Sequence, residues 1–114
     1  MINKMATLDL PLEVTEDLSR IGQRLRTARI RRGWSVADLA ARAGINRNTL
    51  TALEQGKPGT SFGSVLTVLW VLGLERSAEP LADPETDLHG KALEAARRPE
   101  RAGRQPKARD EYDF

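Results

Sequence analysis

Apolar residues recur along this chain at the three-to-four-residue spacing of helices, and almost nowhere at the two-residue spacing of strands. Leu18, Ile21, Leu25 and Ala28 make one stripe, which predicts a helix from Thr15, with Glu16 and Asp17 in its first turn, up to Gly33. Ser35 with Asp38 three residues on is a capping-box pattern ahead of Leu39 and Ala40, and Gly44 stands where that second helix must leave through a left-handed residue. Asn46 then caps a third helix, with Thr49, Leu50 and Leu53 at helical spacing and Arg47, Asn48 and Thr51 on other faces. Gly56-Lys57-Pro58-Gly59 is a turn, Ser61 caps again, and Phe62 to Leu72 is apolar nearly all round, so this helix needs burial on more than one side. Trp34 is expected at the edge of the core.

The ends read differently. Residues 1–14 hold one short alternation, Thr7-Leu8-Asp9-Leu10, broken by Pro11, and are read as an arm. From Glu75 the composition shifts to Pro, Ala, Glu and Arg. Asp83 and Pro84 predict the start of a marginal helix over 84–98, with Leu88, Ala92, Leu93 and Ala96 apolar; Pro99, Gly103 and Pro106 among arginines then predict a disordered basic tail. The expected organisation is an arm at 1–14, a helical domain at 15–74 and an extension at 75–114.

The net charge of +2 conceals an uneven distribution. Residues 15–74 carry nine Lys/Arg against four Asp/Glu, residues 75–96 carry two against six, and residues 97–109 carry six against one. The first helix alone holds Arg20, Arg24, Arg26, Arg29, Arg31 and Arg32 with no acid among them, and about two of these are expected to touch phosphate or pair with acids such as Glu54. A basic helical core with polar side chains idle on its third helix is the layout of a DNA-reading unit. Arg offers two donors matched to guanine O6 and N7, and Asn pairs with adenine N6 and N7.

Several classes fall away. With no cysteine there is no disulfide framework and no thiolate chemistry, His89 stands alone, and no metal or cofactor site is expected. Residues 56–61, GKPGTS, lack the glycine spacing of a phosphate loop and put Pro58 where an amide donor is needed. No nucleophile triad or carboxylate pair stands out, so enzymatic activity is not expected. The apolar run Val65 to Leu74 is far short of the roughly 20 residues of a membrane span, and the N-terminus lacks a signal peptide's apolar region; a soluble, cytoplasmic protein is expected.

On Ile21-Gly22-Gln23-Arg24-Leu25-Arg26, Arg29, Gly33-Trp34-Ser35, Leu39-Ala40, Gly44-Ile45, Leu50, Leu53-Glu54 and Gly56, the segment 15–74 resembles the Xre family, the phage-repressor and Cro class of helix-turn-helix proteins. The resemblance implies an all-α, lambda-repressor-like bundle of four to five short helices with a flexible C-terminal extension. It implies a homodimer on a palindromic double-stranded operator, with Arg47 and Asn48 as base readers and Asn46 and Thr51 beside them. Ser35, Lys57 and Arg26 are the expected phosphate contacts, and Trp70, Leu66 and Leu69 the expected dimer surface. The chain departs from the family pattern in having Val36 where a phosphate-binding Gln is common and Ala52 where a third reader often sits.

The apolar fourth helix followed by Pro-rich sequence and the acidic-aromatic end Glu111-Tyr112-Asp113-Phe114 is similar to the HipB type of antitoxin. That resemblance implies a repressor of its own operon that also binds a HipA-like kinase toxin, with Tyr112 and Phe114 as candidate contacts. A stand-alone Xre-type repressor, and an adaptor or inhibitor acting through the tail, are the competing readings.

Overall fold

The computed structural model describes residues 9–98, and every element in it is helical. The order is α1 (Leu12–Arg31), α2 (Val36–Ala43), α3 (Arg47–Glu54), α4 (Phe62–Val71), short 3-10 turns at Glu75–Ser77 and Pro84–Thr86, and α5 (Leu88–Arg97). The chain divides after Glu79 into two units. The fold is thus the all-α bundle expected.

In the first unit α3 packs against both α1 and α2, and α2 packs against α4. The core they enclose consists of Leu25, Ala28, Leu39, Ala40, Leu50, Leu53, Val68 and Leu72, of which Leu39, Leu50 and Val68 are wholly buried. Each such side chain contributes about 1.5–3 kcal/mol through the apolar surface it removes from water. Trp34 packs at the edge of this core, and the Arg42 guanidinium lies 4.2 Å above its ring centre.

Caps fix where the helices begin. Ser35 Oγ accepts from the Asp38 amide at 3.0 Å while Asp38 Oδ2 accepts from the Ser35 amide at 2.9 Å, the reciprocal box the sequence anticipates. Asn46 Oδ1 accepts from the Asn48 amide at 2.6 Å, and Ser61 Oγ from the Ser64 amide at 3.0 Å. Gly44 ends α2 at φ 68°, where the left-handed backbone favours a residue without Cβ.

Three sequence expectations are corrected. α1 starts at Leu12, not Thr15: Pro11 precedes it with φ −57°, and the Pro11 carbonyl accepts from the amides of Val14 and Thr15 at 3.0 and 3.2 Å. The Thr15 hydroxyl is inside the first turn, donating to the Leu12 carbonyl at 2.8 Å. In the stripe of α1, Ile21 is 45% exposed, and Gly22 takes the buried position beside it. In the second unit Asp83 caps only the 3-10 turn, through the Glu85 amide; α5 starts at Leu88, capped by Asp87 Oδ1 on the Gly90 amide at 2.8 Å. No residue of α5 is buried, so Leu88, Ala92, Leu93 and Ala96 lie exposed. The greater part of the expected arm, residues 1–8, and the tail from residue 99 lie outside the described residues.

Candidate nucleic-acid interface

α3 is held by its inner side. Leu50 and Leu53 are buried in the core, and Glu54 is buried against α1. Arg29 donates to Glu54 through Nε (2.8 Å to Oε2) and Nη2 (3.0 Å to Oε1), and its Nη1 reaches the Trp34 carbonyl at 2.9 Å. The hydrogen bonds and the charge of Glu54 push the Arg29 pKa above its ordinary value against the opposing effect of burial. Gly22 lets the two helices approach: a Cβ there would lie 2.5 Å from the Glu54 carbonyl oxygen and 2.6 Å from that of Leu53. One guanidinium therefore ties α1, the start of the α2 segment and the end of α3 together.

The outer side of α3 carries the expected readers. Asn46, Arg47, Asn48 and Thr51 are all exposed, and none of the Arg47, Asn48 or Thr51 side chains has a hydrogen bond within the described residues. Asn46 differs, because its side-chain carbonyl oxygen is engaged in capping α3, which leaves its NH₂ group for other bonds. Asn48 shares a shallow groove of about 330 Å³ with Thr49, Ala52, Lys57, Pro58, Gly59 and Thr60. The structure thus brings Asn48 and Lys57, the one expected as a reader and the other as a phosphate contact, to one concavity.

The sequence pattern singles out neither the Thr60 hydroxyl nor Thr49 at this groove. Thr49 was legible as the neighbour of Asn48. Thr60 was not, since only the turn at Pro58-Gly59 returns it to α3. Arg26 is exposed, four residues from Gly22, and so borders the side of α1 that meets α3.

Ser35, an expected phosphate contact, is exposed, and its amide already donates to the Asp38 carboxylate at 2.9 Å. The same bond, followed by the Ser35 side-chain hydroxyl acting on the carboxylate, holds the Asp38 carboxyl below the usual carboxylate range. Donors for an anion at this end of α2 are the next two amides, of Val36 and Ala37.

On α4 the exposed side is a stripe of Phe62 (63% exposed), Leu66 (37%) and Trp70 (67%), each four residues from the next. Leu69, expected on this surface, is half-buried and packs against the chain's own core. Tyr112 and Phe114 lie outside the described residues. Among the described residues no three His, Asp or Glu side chains gather as a metal site would require, and no helix is long and apolar enough to cross a membrane.

Two short helices joined through a left-handed glycine, the second with its inner side locked to α1 and its polar side free, define the helix-turn-helix class of DNA-binding folds. The family model for a helix-turn-helix domain matches residues 20–81, more than half of the chain, and the chain belongs to this family, in its Xre-like form. No curated protein matches it.

Proposed function

We propose that the chain is a sequence-specific transcriptional regulator without enzymatic activity, acting in the cytoplasm as a homodimer on a palindromic operator. The observation that carries this reading is the division of α3: Leu50, Leu53 and Glu54 are engaged inward, while the Arg47, Asn48 and Thr51 side chains are exposed and without a hydrogen bond among the described residues. Two such helices enter successive major grooves about 34 Å apart on one face of the duplex. Arg47 selects guanine and Asn48 adenine, each good bidentate contact discriminating by about 1–3 kcal/mol. Arg26, Lys57 and the α2 amides supply the salt-dependent attraction to phosphates. The Phe62-Leu66-Trp70 stripe supports the dimer, since pairing one patch with its copy buries all three side chains at once.

Selection from a random duplex pool with the purified chain tests the reading. It is expected to enrich a two-fold symmetric sequence that outcompetes bulk DNA; binding with no such enrichment overturns it in favour of nonspecific packaging.

The narrower reading is a HipB-type antitoxin that represses its own operon and binds a HipA-like kinase toxin, supported by the resemblance of residues 62–114 in sequence. Deleting residues 75–114 is expected to abolish capture of the kinase and leave operator binding intact. A kinase frame beside this gene supports that reading, and its absence favours a stand-alone repressor.

A further inference from the structure

A second concavity lies on α1. Arg20, Arg24, Arg31 and Arg32 line a groove of about 440 Å³, and among the described residues no carboxylate lines it. Gln23 and Thr27 stand between the arginines, while Ala28 and the half-buried Leu74 give it an apolar floor. Arg20, Arg24, Thr27 and Arg31 follow at steps of four, three and four residues, which keeps them on one face of the helix.

That face is turned from the DNA-reading side. Gly22 and Arg29 mark where α1 meets α3. Arg24 and Arg31 each lie two residues beyond one of these, about 200° further round the helix. A duplex read by α3 therefore does not reach the groove's arginines, and like charges at four-residue spacing repel one another until an anion enters.

We propose that this groove is a binding site for linear phosphate chains, as found in inorganic polyphosphates and nucleoside polyphosphates. This goes beyond the operator-binding role, which does not use the groove. The chemistry favours phosphate over an acidic peptide. Guanidinium groups are donors only, in forks that fit two oxygens of a phosphate. A peptide brings its own amide donors, for which the groove has few acceptors, and the Ala28 carbonyl already takes Arg32 Nη1 at 2.7 Å. Arg20 is paired with Asp17 on the surface, an exposed contact weak enough to be exchanged for a more highly charged anion.

Calorimetric titration of the full chain with tripolyphosphate, and separately with ATP, is the test. Saturable tripolyphosphate binding is expected, weakened about tenfold or more by Arg24→Gln together with Arg31→Gln and unchanged by Arg47→Ala. Matching affinity for ATP extends the ligand to nucleotides; binding of tripolyphosphate alone restricts it to inorganic chains. The proposal is overturned if no saturable binding occurs, or if Arg47→Ala weakens it equally. It is also overturned if hexaglutamate binds as tightly, or if the double substitution lowers operator affinity in step with anion affinity.

Discussion

Arg29 and Glu54, 25 residues apart in sequence, meet in a two-pronged ion pair that joins the first helix to the end of the DNA-reading helix. Their side chains are 10% and 5% exposed, so the pair has little water to fall back on. Its mutual attraction and the third bond to the Trp34 carbonyl offset the desolvation of both ions. The pair sets where α3 points more than how stable the fold is, because a buried ion pair contributes little net stability over an apolar pair of similar volume.

Removing one partner has a different effect from removing both. Glu54→Ala leaves the Arg29 charge buried and is expected to destabilise the chain by about 3–5 kcal/mol in urea unfolding. Arg29→Met combined with Glu54→Leu is expected to recover much of that loss. An unchanged unfolding midpoint for Glu54→Ala contradicts this account.

Gly22→Ala drives a methyl group into the backbone carbonyls of Leu53 and Glu54. Backbone yields less readily than a side chain, so a loss of about 1–3 kcal/mol is expected, with weaker operator binding as α3 is displaced. Gly63, on α4, is the control: a Cβ there meets nothing within 4 Å, and alanine is expected to be neutral or to stabilise slightly. Thermal melts of the two variants separate steric conflict from helix propensity.

The local signals were legible in the sequence because they act within one turn. Ser35 with Asp38, Gly44, Asn46 and Ser61 each fix a helix boundary through a bond to a residue at most three positions away. The first helix begins three residues before Thr15, since Thr15-Glu16-Asp17 reads as a cap while Pro11, with its fixed φ, performs the task from outside the apolar stripe. Ile21 and Gly22 exchanged roles for a tertiary reason: close helix packing needs the absent side chain more than another apolar one. Of the interface, the exposed readers follow from the helix period, whereas the Asn48–Lys57–Thr60 groove depends on how the turn after α3 folds back.

Acid weakens the start of α2. Hydrogen bonds from Ser35 lower the Asp38 pKa in the folded chain, so this carboxylate stabilises the fold fully above its unfolded pKa and ceases to as pH falls through the lower folded value. The melting difference between the parent chain and Asp38→Ala is expected to shrink between about pH 7 and about pH 3. A difference independent of pH excludes the charged cap. Ser35→Ala, which deletes the other half of the box, is expected to cost about 1 kcal/mol at neutral pH.

Base reading and backbone attraction separate by salt and by sequence. Arg47→Ala is expected to relax preference at one base pair of each half-site, costing about 1–3 kcal/mol on the operator and little on random DNA. Lys57→Ala is expected to weaken both about equally and to flatten the salt dependence by roughly one ion. Competition binding at two salt concentrations checks the pair, and equal losses on both DNAs for Arg47→Ala count against its role.

A charge on the α4 stripe tests self-association. Trp70→Glu is expected to convert dimers to monomers in sedimentation velocity and to lower operator affinity without lowering the melting temperature of the monomer, because Trp70 is 67% exposed and outside the core. A dimer that persists at the same concentration rules the stripe out as the contact.

The chain has two indoles, and they inhabit unlike surroundings: Trp34 packs at the core edge beneath the Arg42 guanidinium, whereas Trp70 stands open on α4. Fluorescence thus comes with two reporters already installed. Replacing either indole with phenylalanine leaves a single indole to excite above the absorption of Tyr112, one sensitive to loosening of the fold and the other to whatever settles against α4, so unfolding and assembly are separable by colour without attaching a dye.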